Sequence, residues 1–258
     1  MSSTSSEDAI PVTVFINHKL MNSKPIERLK SIKFDRLRIE CVSDEEEIPT
    51  TKDTGSKAAV GWWFSNSDIL SKYIEEKENK QNIIWTHSAS AGVDHLLKYD
   101  AIKKHKSIMT NAKGAFSASL GEWTIFASMY YAKEVFNMQK AQKEKVWKRF
   151  QVDMLKNKEM LVVGYGDIGR SIGKRAKAMG MVVNGVRSKK VIEERDREVV
   201  SQMFTLQDLE RAVETADYVA LALPHTKETE NVVGEKIFEK MKTSAVLINV
   251  GRGASVDE

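Results

Sequence analysis

Short apolar runs alternate with stretches of helical spacing along most of the chain, a pattern that predicts an α/β fold. In the first part, VTVFINH (12–18), LRIECV (37–42), AAVGWWF (58–64), IIWTHS (83–88) and SIMTNA (107–112) read as strands. SDILSKYIEEKEN and GVDHLLKYDAIKKH read as helices between them, and the polar run SDEEEIPTTKDTGSK (43–57) as a solvated loop. From Ser117 a longer helical pattern begins, SASLGEWTIFASMYYAKEV, in which Ser119 and Glu122 have capping-box spacing. This helix is expected to connect two domains.

The polar stretch QKAQKEKVWKRFQVDMLKNKE follows, and then a second series of strands: MLVVG (160–164), MVVNGV (181–186), YVALALP (218–224) and AVLINV (245–250). These are almost continuously apolar rather than alternating, as parallel strands covered on both faces should be. Ile168, Ile172, Ala176 and Met179 fall on one face of the intervening helix. The expected architecture is α/β throughout. Residues 10–116 and 117–258 read as two successive α/β series, and residues 1–9 as a disordered tail.

Composition narrows the class only a little. The 258 residues are 41% apolar and 29% charged, ordinary for a globular protein and enough for two modest cores. A formal charge of +4 is too small and scattered to argue for nucleic acid, but suits a small anionic ligand. The single cysteine, Cys41, cannot form an intrachain disulfide and fits a reducing compartment. MSSTSSEDA lacks the apolar core of a signal peptide, and no apolar run approaches the roughly 18–20 residues of a membrane span. A cytoplasmic protein with no membrane partner and no metal site is expected.

GYGDIG carries the first chemistry. It follows a strand, opens an amphipathic helix and leads into a second strand, which is the context a dinucleotide-binding turn requires. Gly164 would permit the tight turn, Gly166 the approach of a pyrophosphate, and Gly169 close packing of helix on strand. Amides from Asp167 and Ile168 onward would then face the anion at the helix start. About twenty residues further on, where an acidic residue normally binds the ribose hydroxyls of NAD, stands Arg187, followed by Ser188, Lys189 and Lys190. Reversing the sign there favours a 2′-phosphate, which a guanidinium can hold with paired charge-assisted hydrogen bonds. NADP(H) is the preferred cofactor on this reading, with NAD(H) possible if these residues are only exposed loop charges.

Three segments, VVGYGDIGRSIGKRAKAMGM, VALALPHTKETENVVGEKIFEKMKTSAVLINVGRGASVDE and HSASAGVDHL, together resemble the D-isomer-specific 2-hydroxyacid dehydrogenases. Arg-Ser after the second strand is similar to the glyoxylate/hydroxypyruvate reductase branch, which uses NADPH. The resemblance implies a flavodoxin-like substrate domain (10–116) followed by a Rossmann-type doubly wound parallel sheet (117–258), incomplete at its C-terminus, and an oxidoreductase that moves a hydride between NADPH and a small 2-oxo acid to give a D-2-hydroxy acid. It implies that Ser90, Ala91 and Gly92 bind the substrate carboxylate through backbone amides, and that Arg252 is the catalytic arginine. It also implies that Leu223, Pro224, His225 and Thr229 line the cofactor, that Val250 and Gly251 border the nicotinamide, and that the protein is a homodimer built around 122–131. Trp62 and Trp63 would wall an acyl pocket or lie in the core.

The family completes its site with a glutamate and a histidine downstream of the GRG segment, and none of His18, His87, His95, His105 or His225 holds that position. The chain is therefore expected to be a fragment that binds cofactor weakly and does not turn over alone. A non-catalytic dinucleotide sensor or scaffold on the same fold is the alternative. A methyltransferase module would not explain LPHTKETENVV beside INVGRG.

Overall fold

The computed structural model describes residues 10–33, 37–43, 57–63, 67–77 and 82–258. Two compact units part between Lys113 and Gly114. The predicted tail (1–9), most of the acidic loop, and the side chains of Trp62 and Trp63 lie outside the described residues.

The first unit is a five-stranded parallel sheet of β1 (Ile10–Ile16), β2 (Leu37–Ser43), β3 (Lys57–Trp63), β4 (Asn82–Ser88) and β5 (Ile108–Asn111), in the order β2-β1-β3-β4-β5. That is the flavodoxin-like order. Phe15, Val42, Val60 and Ile83 from the strands pack with Leu70, Tyr73 and Ile74 of α2 (Ser67–Lys77). The other face holds Val12, Val14, Ile16 and Ile26. Ile26 belongs to α1 (Lys24–Ser31), a helix the spacing did not predict, because it buries one side chain and carries a proline in its first turn.

The helix predicted over 92–105 is two short ones, α3 (Asp94–Leu97) and α4 (Asp100–Lys104). Tyr99 between them is extended (φ −91°, ψ 123°). Its ring packs against the core and its hydroxyl donates to Asp68 of α2. One docked aromatic interrupts the helix.

The second unit contains α5 (Ser117–Ala132), α6 (Val135–Glu144), β6 (Glu159–Val163), α7 (Asp167–Ala178), β7 (Val182–Val186), β8 (Gln202–Phe204), α8 (Leu209–Val213), β9 (Tyr218–Leu221), α9 (Glu235–Lys240) and β10 (Val246–Asn249). The sheet is parallel, in the order β10-β9-β6-β7-β8. Counted from β6 this is 3-2-1-4-5, the doubly wound order. Met160 and Val162 point to one face with Ile172 and Ala176 of α7, while Leu161 and Val163 point to the other with Leu209 and Val213 of α8. Both faces are covered, which explains the uninterrupted apolar runs.

Three local expectations are corrected. Residues 117–132 are helical from Ser117, so Ser119 sits inside α5 and forms no cap; a capping box instead joins Thr205 and Asp208. Met179 ends α7 and is 38% exposed, so the buried stripe stops at Ala176 and is completed by Gly169 and Gly173. The polar stretch from Gln139 begins inside α6. The three-residue β8 is too short to leave a periodic signal, yet it pairs with β7 through Asn184–Val186.

Candidate functional site

The order of the second sheet reverses between β6 and β9, and ligands bind such sheets at the carboxyl ends of the strands beside that reversal. GYGDIG stands there. Gly164 has φ +97°, and a Cβ on it would lie 2.6 Å from the Ala222 carbonyl oxygen on the loop after β9. The amides of Gly164 and Tyr165 donate to Val186 O at 3.0 and 2.9 Å, tying the turn to the end of β7. A Cβ on Gly169 would lie 2.4 Å from Gly164 O, so α7 starts against its own loop. Gly166, at the N-cap of α7, instead has nothing within 4 Å of its Cβ position. The loop is therefore packed from behind and open in front, with Asp167 and Gly166 exposed and Ile168 turned toward the core. This shape fits a dinucleotide pyrophosphate, whose charge the helix start complements.

The loops after β9 and β10 close the rim. A Cβ on Gly251 would lie 2.8 Å from Leu223 O, so the two backbones touch. The Leu223 side chain turns into the core, whereas Pro224 and His225 are exposed. Thr229 is 6% exposed; its Oγ1 donates to Pro224 O at 2.6 Å and accepts from the Thr226 amide at 2.9 Å. It staples the loop that carries His225. Val250 packs against the apolar cluster around β6, and its amide donates to Leu221 O at 3.0 Å. Asn249, which the sequence pattern did not single out, accepts from Gly251 N at 2.9 Å and donates from Nδ2 to Arg252 O at 2.9 Å. It sets the turn that presents half-buried Arg252 just past the end of β10.

Arg187 follows the last residue of β7, its amide bonded to Phe204 O at 3.0 Å. Its Nη1 donates to Glu193 Oε1 at 2.5 Å. Glu193 Oε2 also accepts from Arg195 Nε at 2.9 Å, with Arg195 Nη2 at 2.8 Å. Arg170 Nη2 of α7 lies 2.8 Å from the same oxygen, an ion pair off the hydrogen-bond axis. Arg170 Nε donates to both oxygens of Asp196, at 3.1 and 3.0 Å, and Asp196 is 1% exposed. Hydrogen bonds from Arg187, then Arg195, hold the Glu193 carboxyl down at about 2. Ser188 and Lys189 are exposed, and Lys190 is paired with Asp208 at 2.7 Å. Neither Glu193, Arg195 and Asp196 in VIEERDRE nor Arg170 in GDIGRS could be singled out by spacing, because only the fold brings them to Arg187.

In the first unit, the SASAG loop follows β4. The Ser90 amide donates to Ser88 Oγ at 3.2 Å, and its carbonyl accepts from the Ala112 amide at 3.2 Å. Ala91 O accepts from Asn111 Nδ2 at 2.8 Å. β5 thus grips the loop's carbonyls on one side, with Gly92 half-buried ahead of the four-residue α3. His87 Nδ1 lies 2.8 Å from Thr110 Oγ1, which also accepts from Trp85 Nε1 at 2.8 Å. Among the described residues, no group of three His, Cys, Asp or Glu is placed to hold a metal ion, and no helix is long and apolar enough to cross a membrane.

Comparison with known proteins gives this geometry a family. Residues 125–258 match the model of the D-isomer specific 2-hydroxyacid dehydrogenase NAD binding domain. The chain is 29% identical over 201 residues to a glyoxylate reductase of Thermococcus litoralis, covering 74% of this chain and 58% of that protein. It is 30% identical over 194 residues to a D-3-phosphoglycerate dehydrogenase of Methanocaldococcus jannaschii, covering 73% and 35%. The chain thus spans between about a third and three fifths of these relatives. The fold is that of the NADPH-dependent glyoxylate/hydroxypyruvate reductase of Sinorhizobium meliloti, solved with NADP and sulfate. That structure has a TM-score of 0.73 at 18% identity, with 96% of this chain and 74% of that one covered.

Proposed function

The chain belongs to the D-isomer specific 2-hydroxyacid dehydrogenase family, and on that premise we propose that the protein reduces a small 2-oxo acid of the glyoxylate or hydroxypyruvate kind to a D-2-hydroxy acid, with NADPH preferred over NADH. One observation carries the cofactor preference: Arg187, rather than a carboxylate, stands at the end of β7, fixed there by its backbone bond to β8. A carboxylate at that point would accept from two ribose hydroxyls and repel a 2′-phosphate; a guanidinium does the reverse.

The division of labour follows from position. The Gly164–Gly169 loop takes the pyrophosphate, and the rim of Leu223, Pro224, Val250 and Gly251 takes the nicotinamide end. NADPH, when bound, would supply the hydride, and the proton that completes the hydroxyl comes from an acid other than these residues, the role the family gives to its histidine–glutamate pair. Arg252 binds the carboxylate and keto oxygen of the 2-oxo acid, fixes the angle at its C2, and offsets the negative charge that grows on oxygen. Ser90, Ala91 and Gly92 are assigned to the substrate carboxylate; since the Ser90 amide is engaged by Ser88, the amides of Ala91 and Gly92 carry that role. The exposed apolar side of α5 is assigned to a second copy of the chain.

Fluorescence titration of NADPH and NADH tests the preference. NADPH should bind at least about tenfold more tightly, a difference of roughly 1.4 kcal/mol, and Arg187→Gln should erase the gap. Equal affinities in both proteins would remove the assignment. Glyoxylate added to the NADPH complex should change the bound nicotinamide fluorescence, and Arg252→Gln should abolish that response. Tight NADPH binding with no response to any 2-oxo acid would favour the sensor alternative.

A further inference from the structure

The anion site around Arg187 is already filled, by a side chain of the protein itself. Three guanidiniums, those of Arg170, Arg187 and Arg195, converge on the carboxylate of Glu193. They come from α7, from the end of β7 and from the 3-10 turn Glu194–Asp196. The two carboxylates of the cluster are unlike. Asp196 is 1% exposed and takes Arg170 Nε on both oxygens, whereas the Glu193 side chain is 35% exposed and sits just ahead of the turn. If Glu193 swings away, Arg170 keeps its buried partner. Arg187 and Arg195 lose the carboxylate they share.

We propose that Glu193 is an internal stand-in for the 2′-phosphate, which the phosphorylated cofactor must displace from Arg187 and Arg195, and that this competition sets how sharply the protein separates NADPH from NADH. The proposal rests on Arg187 being the 2′-phosphate ligand. Charge supports the exchange: the carboxylate brings one negative charge to two guanidiniums, whereas a phosphate monoester brings nearly two, with three acceptor oxygens. The Glu193 side of the competition is constant across ordinary pH, because the surrounding arginines keep it ionised, while the phosphate gains its second charge as pH rises through about 6. NADH, with no group to place there, leaves Glu193 where it is.

The test uses the 258-residue chain and calorimetric titration of two fragments, 2′,5′-ADP and 5′-ADP, against the wild type, Glu193→Gln, Arg187→Gln and the double variant. Glu193→Gln should tighten 2′,5′-ADP about tenfold, within the usual range of coupling between sites, and leave 5′-ADP within about twofold. The gain should vanish in the double variant. Arg187→Gln alone should weaken 2′,5′-ADP and spare 5′-ADP. A cooperative melting transition followed by circular dichroism shows in each case that the chain is folded, and Glu193→Ala gives a second reading of the same direction should the amide variant fail that check.

If Arg187→Gln weakens 2′,5′-ADP but Glu193→Gln leaves it unchanged or weaker, the internal competitor is overturned while the NADPH reading stands. A loss of 5′-ADP affinity in folded Glu193→Gln also overturns it, because the carboxylate would then be serving the ribose hydroxyls. If Arg187→Gln leaves both affinities alone, the NADPH reading itself falls.

Discussion

Tyr165, between the first two glycines of the cofactor loop, is 1% exposed, and its hydroxyl has no hydrogen-bond partner among the described residues. Desolvation, then the Asp196 charge, pushes its pKa up to about 12, so it stays neutral. A buried hydroxyl without a partner costs on the order of 1–3 kcal/mol. Tyr165→Phe should therefore raise the melting temperature, by about 2–4 °C for each 1 kcal/mol recovered. Calorimetry checks this, and a fall of similar size would show that the hydroxyl is satisfied. Gly173 reports on the same ring from the other side, since a Cβ there would lie 2.6 Å from the Tyr165 hydroxyl oxygen. Gly164 was legible in the sequence because a positive φ and a 2.6 Å approach leave few other choices. Glu193 was not, because a glutamate in a charged loop looks the same whether it faces water or three arginines.

At the scale of elements, the Glu193 cluster ties α7, the end of β7 and the 3-10 turn together, and this makes a prediction about acid. Glu193 falls from an ordinary value of 4.5 to about 2 in the folded chain, with Arg187 the first cause and Arg195 the second. A depressed carboxyl contributes stability that is complete above the unfolded value and is lost as pH falls toward the folded one. The window is pH 4.5 down to about 2. Glu193→Gln should lose part of the fall in melting temperature across that window and differ little in slope above it. An identical acid limb would dissolve the cluster. Part of the limb will remain, because Asp208 is also pulled down, first by Lys190 and then by Thr205.

The elements themselves were legible in proportion to how plainly one period governed them. β6, β7 and β9 are buried on two faces and read as apolar runs, whereas β10, last in the sheet order, is apolar in sequence but only half-buried. α5 was misread at its start because serines there are helical residues rather than caps. Its contact with α7 is made by small residues: Gly121, Thr124, Ser128 and Ala132 are buried. The hydroxyls of Thr124 and Ser128 bond back to Leu120 O and Thr124 O at 2.9 and 2.8 Å, so this stripe has no unpaired hydroxyl. A Cβ on Gly121 would lie 2.5 Å from Ser171 Oγ and 3.1 Å from its carbonyl carbon. Gly121→Val should push the two helices apart at a cost of about 1–3 kcal/mol, read as a lower denaturant midpoint. An unchanged midpoint would mean that the helices have slack.

The small inner stripe leaves the large side chains of α5 outside, and this decides how the whole molecule behaves in solution. Trp123, Phe126 and Tyr131 are 56%, 55% and 59% exposed, and nearby Phe136 and Trp147 are 65% and 91% exposed. The segment carrying Trp147 returns to the helix, with the Asp153 amide on Ala132 O at 2.8 Å and Lys133 Nζ on Asp153 O at 2.7 Å. A groove of about 690 Å³ beside α5 is lined by Ile125, Phe126, Met129, Tyr130, Val135 and Met179. Contiguous apolar surface of this extent is the kind an interface buries, and the proposed homodimer would use it. A second copy is the simplest occupant, since one patch then meets itself across a two-fold axis and both are buried together. Sedimentation at micromolar concentration should show a dimer. Phe126→Asp, which puts a charge into the middle of that patch and touches no residue assigned to cofactor or substrate, should give a monomer that still binds 5′-ADP. A wild-type chain that sediments as a monomer at tens of micromolar, with the aromatic residues remaining open to collisional quenchers, would leave the face without a self-partner.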